Sequence, residues 1–121
     1  MAVDETLNER LRQALADLPG ISEVRMMGGT CFLLNGNMLG GADRDKSGEP
    51  RFMFRVGKEN EAEALGRPGA VPMVFGERRM GGLVFVDTAL CDDHDLMSWI
   101  ALAQSFVAEL PPKKKARRAL G

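Results

Sequence analysis

The spacing of apolar residues predicts a helix near each end of the chain. Close to the N-terminus, apolar side chains recur every three or four positions between polar ones, which marks one face of a helix. They are Val3, Leu7, Leu11, Leu15 and Leu18. A second stripe runs over residues 96–110 and includes Trp99. Pro19 and Pro111 follow the two patterns and end them. Such short helices are marginal alone in water, so each needs a surface to pack on.

The segment between the helices, residues 22–87, has the period of β-strands. In residues 51–56, Phe52, Phe54 and Val56 alternate with polar residues or methionine, which indicates a half-buried strand. Asn35-Gly36 predicts a tight hairpin turn. Residues 58–65 are polar and predict a short surface helix, residues 67–72 a loop, and residues 73–75 and 83–86 two further strands. Helix, strands and helix in this order predict an α+β fold with an antiparallel sheet.

Composition places the chain among ordinary soluble domains. Its 121 residues are 45% hydrophobic and 27% charged, which suits one domain with its own core. We assign this domain to residues 1–112 and a basic tail to residues 113–121. The apolar runs are too short to span a membrane. The acidic N-terminus lacks the features of a secretory signal, and Cys31 and Cys91 form no C-x-x-C pair, so we expect a cytoplasmic protein.

Charge is distributed unevenly along the chain. There are 16 basic and 17 acidic residues, a net charge of −1. Five of the basic residues belong to the tail: Lys113, Lys114, Lys115, Arg117 and Arg118. The rest of the chain then carries 11 basic against 17 acidic residues, a net charge of −6. We expect the tail to be a disordered, solubilising end. The alternative is that it binds nucleic acid or an acidic partner, since the acidic remainder of the chain should repel them.

Candidate chemistry is confined to residues 91–95. Asp92, Asp93 and Asp95 surround the single histidine, His94, just before the last helix. Carboxylates at a helix start cap its backbone N–H groups, which explains them better than a metal site does. A nucleophilic pair of Cys91 with His94 has no orienting third group. We predict no catalytic, cofactor-binding or metal-ligating residue, and no enzyme.

Methionine is frequent and tyrosine is absent. Seven methionines follow the initiator, and such flexible side chains can form an adaptable binding surface or fill a core. Because Met26, Met53 and Met73 lie within predicted strands, we expect most of them in the core.

Several short motifs follow one another along the chain: Arg25-Met26-Met27-Gly28-Gly29, Asn35-Gly36-Asn37-Met38, Arg55-Val56-Gly57 and Met80-Gly81-Gly82-Leu83. In this order they resemble the N-terminal domain family of the TfoX/Sxy proteins. The resemblance covers residues 7–115, with Met27 where the family usually has phenylalanine. Motif positions with an expected structural role are Arg25, Gly28, Gly29, Phe32, Gly36 and Trp99.

The resemblance implies a standalone member of the family with an α+β fold. Its curved antiparallel β-sheet would have about five to six strands, packed by N-terminal and C-terminal helices. It also implies a non-enzymatic regulatory or protein-interaction domain. Full-length members regulate natural competence together with the cyclic-AMP receptor protein at promoters. The expected partner is therefore a protein of the transcription machinery, and the alternative is a nucleic-acid-binding accessory protein that uses the tail. Both a monomer and a homodimer are compatible with the sequence.

Overall fold

The computed structural model describes residues 5–26, 29–75 and 77–112. It contains three α-helices and six strands in this part of the chain. The helices are α1 (Glu5–Ala14), α2 (Glu61–Leu65) and α3 (Asp93–Val107). The strands are β1 (Ile21–Met26), β2 (Gly29–Leu34), β3 (Asn37–Arg44), β4 (Pro50–Arg55), β5 (Ala70–Phe75) and β6 (Arg78–Asp87). Short 3₁₀ turns at Lys58–Asn60 and Thr88–Leu90 precede α2 and α3.

The six strands form one antiparallel sheet in the order β1-β2-β3-β4-β6-β5. The predicted α+β fold is therefore confirmed. β1 to β4 are sequential neighbours, and β6 rather than β5 pairs with β4. Asn35 and Gly36 both have positive φ between β2 and β3, as the predicted hairpin turn requires.

The core lies between one face of the sheet and the helices. Phe52 and Phe54 on β4 are buried, as their alternation predicts. Trp99 on α3 stacks on Phe54 with 5.4 Å between ring centroids. The leucine stripe of α1 and Ala64 of α2 belong to the same buried cluster. All three helices therefore cover the same face of the sheet.

Several predicted boundaries were wrong. The strand expected at residues 83–86 spans Arg78–Asp87, and the last helix ends at Val107 although its apolar stripe runs to residue 110. Residues 70–72 were expected in a loop but belong to β5, where Pro72 lies opposite Val84 beside a register shift. Because β5 is an edge strand, it tolerates a residue without an N–H. The first helix ends at Ala14, although Leu15 is still buried and Leu18 packs at the margin of the core.

Glycines in β3 allow a close approach of the central strands. The β2–β3 register shifts between Phe32 and Leu33. A Cβ on Gly40 would lie 2.5 Å from the carbonyl oxygen of Met53, and one on Gly41 would overlap the carbonyl oxygen of Thr30. Within the described residues, no helix is long and apolar enough to cross a bilayer.

Candidate functional site

The face of the sheet opposite the helices carries an apolar surface. Side chains alternate across a strand, so Met53 points away from the core that contains its neighbours Phe52 and Phe54. Strand pairing places Cys31, Gly41, Met53 and Phe85 in one row across four strands. Further methionines surround this row. We call the following set the methionine face: Cys31, Met38, Met53, Met73, Met80, Leu83 and Phe85.

A cavity of about 210 Å³ lies within the methionine face. Gly41 has no side chain, which leaves space between Cys31 and Met53 on the neighbouring strands. Met73 is only 4% exposed and Cys31 only 3%, although neither belongs to the core cluster between sheet and helices. The result is a concave apolar site whose walls are thioether side chains with several rotatable bonds.

An ion pair lies beside the cavity, because Asp43, which lines the cavity, is bonded to Arg51. The Nε–H of Arg51 donates to Oδ1 of Asp43 at 2.8 Å, and Nη2 donates to Oδ2 at 3.3 Å. The guanidinium of Arg51 also lies 3.6 Å from the ring centroid of Phe85. Both charged side chains are about three-quarters buried. This pair fixes a polar, charge-balanced rim beside an otherwise apolar site.

The motif positions occupy structural places around the sheet. Phe32 and Trp99 are buried in the core, and Gly36 has the positive φ of the hairpin. A Cβ on Gly29 would lie 2.8 Å from the carbonyl oxygen of Ala42, so the β2–β3 approach requires glycine there. Arg25 on β1 donates to the carboxylate of Glu5 at 3.1 Å.

The remaining predicted positions lie outside the described residues. These are Gly28 and the tail residues Lys113, Lys114, Lys115, Arg117 and Arg118. Binding of nucleic acid or of an acidic partner by the tail therefore stays a prediction.

The acidic cluster at α3 caps the helix. Asp92 accepts a hydrogen bond from the backbone N–H of Asp95 at 2.8 Å, and the Asp95 carboxylate accepts one from the Asp92 N–H at 3.3 Å. These bonds hold the pKa of Asp92 below its ordinary value. Ligand atoms of Asp92, His94 and Asp95 lie within 4.8 Å of one another on the exposed surface. The reciprocal capping bonds account for both carboxylates, as the sequence predicts.

Cys91 lacks the environment of a catalytic nucleophile. Its side chain is buried, and burial raises the pKa of the thiol to about 11. The nucleophilic form of cysteine is the thiolate, which is scarce at neutral pH when the pKa is this high. Cys31 is in the same state, because burial raises its thiol pKa to about 11 as well.

A larger and more polar groove of about 680 Å³ runs between α1 and α3. Arg10 pairs with Asp93 across it at 3.1 Å and donates to the carbonyl of Cys91 at 2.8 Å. These contacts hold the two helices together. Met97 lines this groove and is 52% exposed. It can therefore serve as a control position for experiments on the methionines of the sheet.

The expectation that most methionines lie in the core was wrong: Met53 and Met73 belong to the methionine face, and the buried core cluster of the described residues contains no methionine. The strand period places Met53 opposite the core, but the sequence alone does not show that methionines of β3, β5 and β6 join it. The available signal was the recurrence of methionine at outward-facing positions of several predicted strands.

Fold and site together define a small α+β domain of two layers, with helices on one side of an open sheet and an apolar cavity on the other. The TfoX N-terminal domain model matches residues 13–107, which include all six strands and α3. The chain belongs to this family. None of the curated proteins compared with the chain matches it.

Proposed function

We propose that this protein is a non-enzymatic regulatory domain that binds a protein partner through the methionine face. The observation that carries the proposal is the apolar cavity of about 210 Å³ on the side of the sheet that the helices leave open. Apolar concave surface of this kind is typical of interaction sites.

The size of the cavity favours a partner side chain over a metabolite. Small-molecule sites usually enclose about 300–1,000 Å³, and this cavity is smaller. It suits one or two apolar side chains that project from a partner. Methionine adapts to such side chains because its unbranched thioether has three rotatable bonds.

The Arg51–Asp43 ion pair beside the cavity would orient a bound partner. The Arg51–Asp43 pair is held in place by two hydrogen bonds and by the Phe85 ring. A partner with an apolar anchor and flanking polar groups would contact the cavity and this pair together. Apolar centres with polar rims are the usual anatomy of protein interfaces.

A regulatory role is supported by membership of the TfoX N-terminal domain family. We propose a partner in the transcription machinery, as in the competence regulators that the sequence resembles. The absence of catalysis is part of the same proposal. It is supported by the buried thiols, whose pKa values are raised to about 11, and by the capping role of Asp92 and Asp95.

The test is affinity capture with three forms of the immobilised protein: wild type, Met53→Glu and Met97→Glu. Met53→Glu places a charge in the cavity, whereas Met97→Glu makes the same change on the exposed surface of α3. We expect proteins captured by the wild type and by Met97→Glu to be lost with Met53→Glu. Purified cyclic-AMP receptor protein serves as a defined candidate in a parallel titration.

Circular dichroism and thermal unfolding establish that each variant is folded. Identical capture by folded Met53→Glu and by the wild type would refute the proposed binding face. If the cyclic-AMP receptor protein does not bind while other proteins do, the proposed partner is wrong and the face is retained.

A further inference from the structure

The sheet has two edges, and only one is suited to accept another strand. At the β5 edge, Pro72 lacks an N–H and a register shift interrupts the strand. At the β1 edge, six consecutive residues pair with β2 without a shift or a proline. A continuous edge strand of this kind is a template for pairing with another chain.

The outward hydrogen-bonding groups of β1 can be assigned from its pairing with β2. In an antiparallel ladder, residues alternate between bonding the partner strand and pointing away from it. The Asn35 N–H donates to the Gly20 carbonyl at 2.9 Å, which places position 20 on the bonded side. Positions 22 and 24 follow it, so Ile21, Glu23 and Arg25 direct their backbone groups outward.

α1 leaves this edge uncovered. The helix packs over the inner strands, where Asn8 donates to the Thr30 hydroxyl of β2. Only side chains reach β1: Arg12 bonds Glu23 at 2.7 and 3.0 Å, and Glu5 accepts from Arg25. On the other face of the sheet, Val24 is 40% exposed. Among the described residues, the edge thus offers unpaired outward backbone groups, an apolar side chain and charges of both signs.

We propose that two copies of this chain associate through antiparallel pairing of their β1 strands, with the two-fold axis between the Val24 residues. A symmetric pair within one sheet must place side chains of the same face opposite each other. The axis can then lie at any residue of the strand. An axis at Ser22 pairs Ile21 with Glu23 and brings no opposite charges together. Axes at Glu23 or Arg25 bring two like charges together, which is unfavourable.

With the axis at Val24, residues of opposite charge face each other on both sides of the axis. This axis places Glu23 of one copy opposite Arg25 of the other, and these are outward-bonding residues. Two such pairs form about four backbone hydrogen bonds. On the face that the helices cover, Arg25 of one copy is paired with its own Glu5 and lies opposite Glu23 of the second copy. That Glu23 is paired with Arg12 of its own chain, so charges of opposite sign alternate across the interface. The proposed dimer uses the sheet edge and is independent of the proposed partner at the methionine face.

Cross-linking tests the register directly. Residues opposite each other in a non-hydrogen-bonded pair have Cα atoms about 4.5 Å apart, within the range that a disulfide spans. Val24→Cys should therefore form a disulfide-linked dimer under mild oxidation. Ser22→Cys is the matched control on the same face of β1. Its two copies would be about 13 Å apart and should not cross-link. Because Cys31 lies directly opposite Val24 on β2 and could capture the new thiol within one copy, both variants are made in a Cys31→Ala background. Cys91 is buried and contributes little background.

Charge reversal tests the association itself by analytical ultracentrifugation. Glu23→Lys and Arg25→Glu each place like charges opposite one another, so each should weaken dimerisation at least about tenfold. An equimolar mixture of the two restores both opposite-charge pairs and should form a heterodimer. Arg79→Glu, which breaks the exposed Arg79–Glu61 pair on β6, should leave dimerisation unchanged.

The outcomes decide the proposal even if one variant folds poorly. A wild type that sediments as a monomer at hundreds of micromolar would overturn it. Equal cross-linking of Val24→Cys and Ser22→Cys would overturn the register. Loss of dimer in the single variants with recovery in their mixture would establish it.

Discussion

The side chains of Asn8 and Thr30 should be energetically coupled to each other, because they form a buried hydrogen bond. Asn8 is fully buried, and its Nδ2 donates to the Thr30 hydroxyl at 2.9 Å. Its Oδ1 has no hydrogen-bond partner among the described residues. Among the described residues, the Asn8 side chain therefore has one hydrogen bond, which Thr30 accepts. Thr30→Val removes that acceptor while keeping the shape of the side chain.

The expected cost follows from what each change leaves behind. Thr30→Val leaves the Asn8 amide buried with neither end bonded, which costs about 1–3 kcal/mol. Asn8→Leu also removes the unbonded Oδ1, so its net effect should stay within about 1 kcal/mol. In the double variant both polar groups are gone, and its stability should return to within about 1 kcal/mol of the wild type.

Urea unfolding of the four proteins measures this cycle. With a slope of about 1.5 kcal/mol per molar urea, Thr30→Val should lower the midpoint by about 1 M, and adding Asn8→Leu should recover most of it. The reasoning is refuted if the double variant is as unstable as the sum of the two single changes, because the two side chains would then act independently.

Three further predictions concern the sheet, the cap and the thiols. Gly41→Ala forces a Cβ against the neighbouring backbone and should cost about 1–3 kcal/mol or more in urea unfolding. Gly48→Ala, where a Cβ meets no atom within 4 Å, should cost only about 1 kcal/mol for its positive φ. The capping bonds lower the pKa of the Asp92 carboxyl from 3.8. Their contribution to the free energy of unfolding is therefore present above pH 3.8, and it is lost as the pH falls through the lower pKa of Asp92 in the folded protein. Thermal unfolding of Asp92→Asn should therefore depend less on pH in this range. Cys31 and Cys91, whose thiol pKa values are about 11, should react with iodoacetamide at pH 8 far more slowly than in urea. Equal rates in mass spectrometry would contradict their burial.

Local signals in the sequence predict much of this fold. The hairpin at Asn35-Gly36 follows from the φ values that its turn requires. The burial of Phe52 and Phe54 follows from strand alternation, and the start of α3 follows from the capping aspartates. Each of these depends on residues that are close together in the chain.

Long-range pairing could not be predicted in the same way. The position of β6 between β4 and β5 depends on contacts such as Phe54 with Val84, which no local pattern specifies. Pro72 suggested a loop because the sequence does not show that its strand lies at an edge. The methionine face could not be predicted for the same reason, because Met38, Met53 and Met80 meet only after three strands have paired.

Methyl NMR of the protein labelled at its methionine methyl groups tests the central claim most directly. Met38, Met53 and Met80 report on the methionine face, and Met97 reports on the groove between α1 and α3. On titration with a protein captured by the wild type, we predict that the signals of the first three shift or broaden while that of Met97 stays unchanged. Shifts confined to Met97, with the methionine face unaffected, would contradict the account.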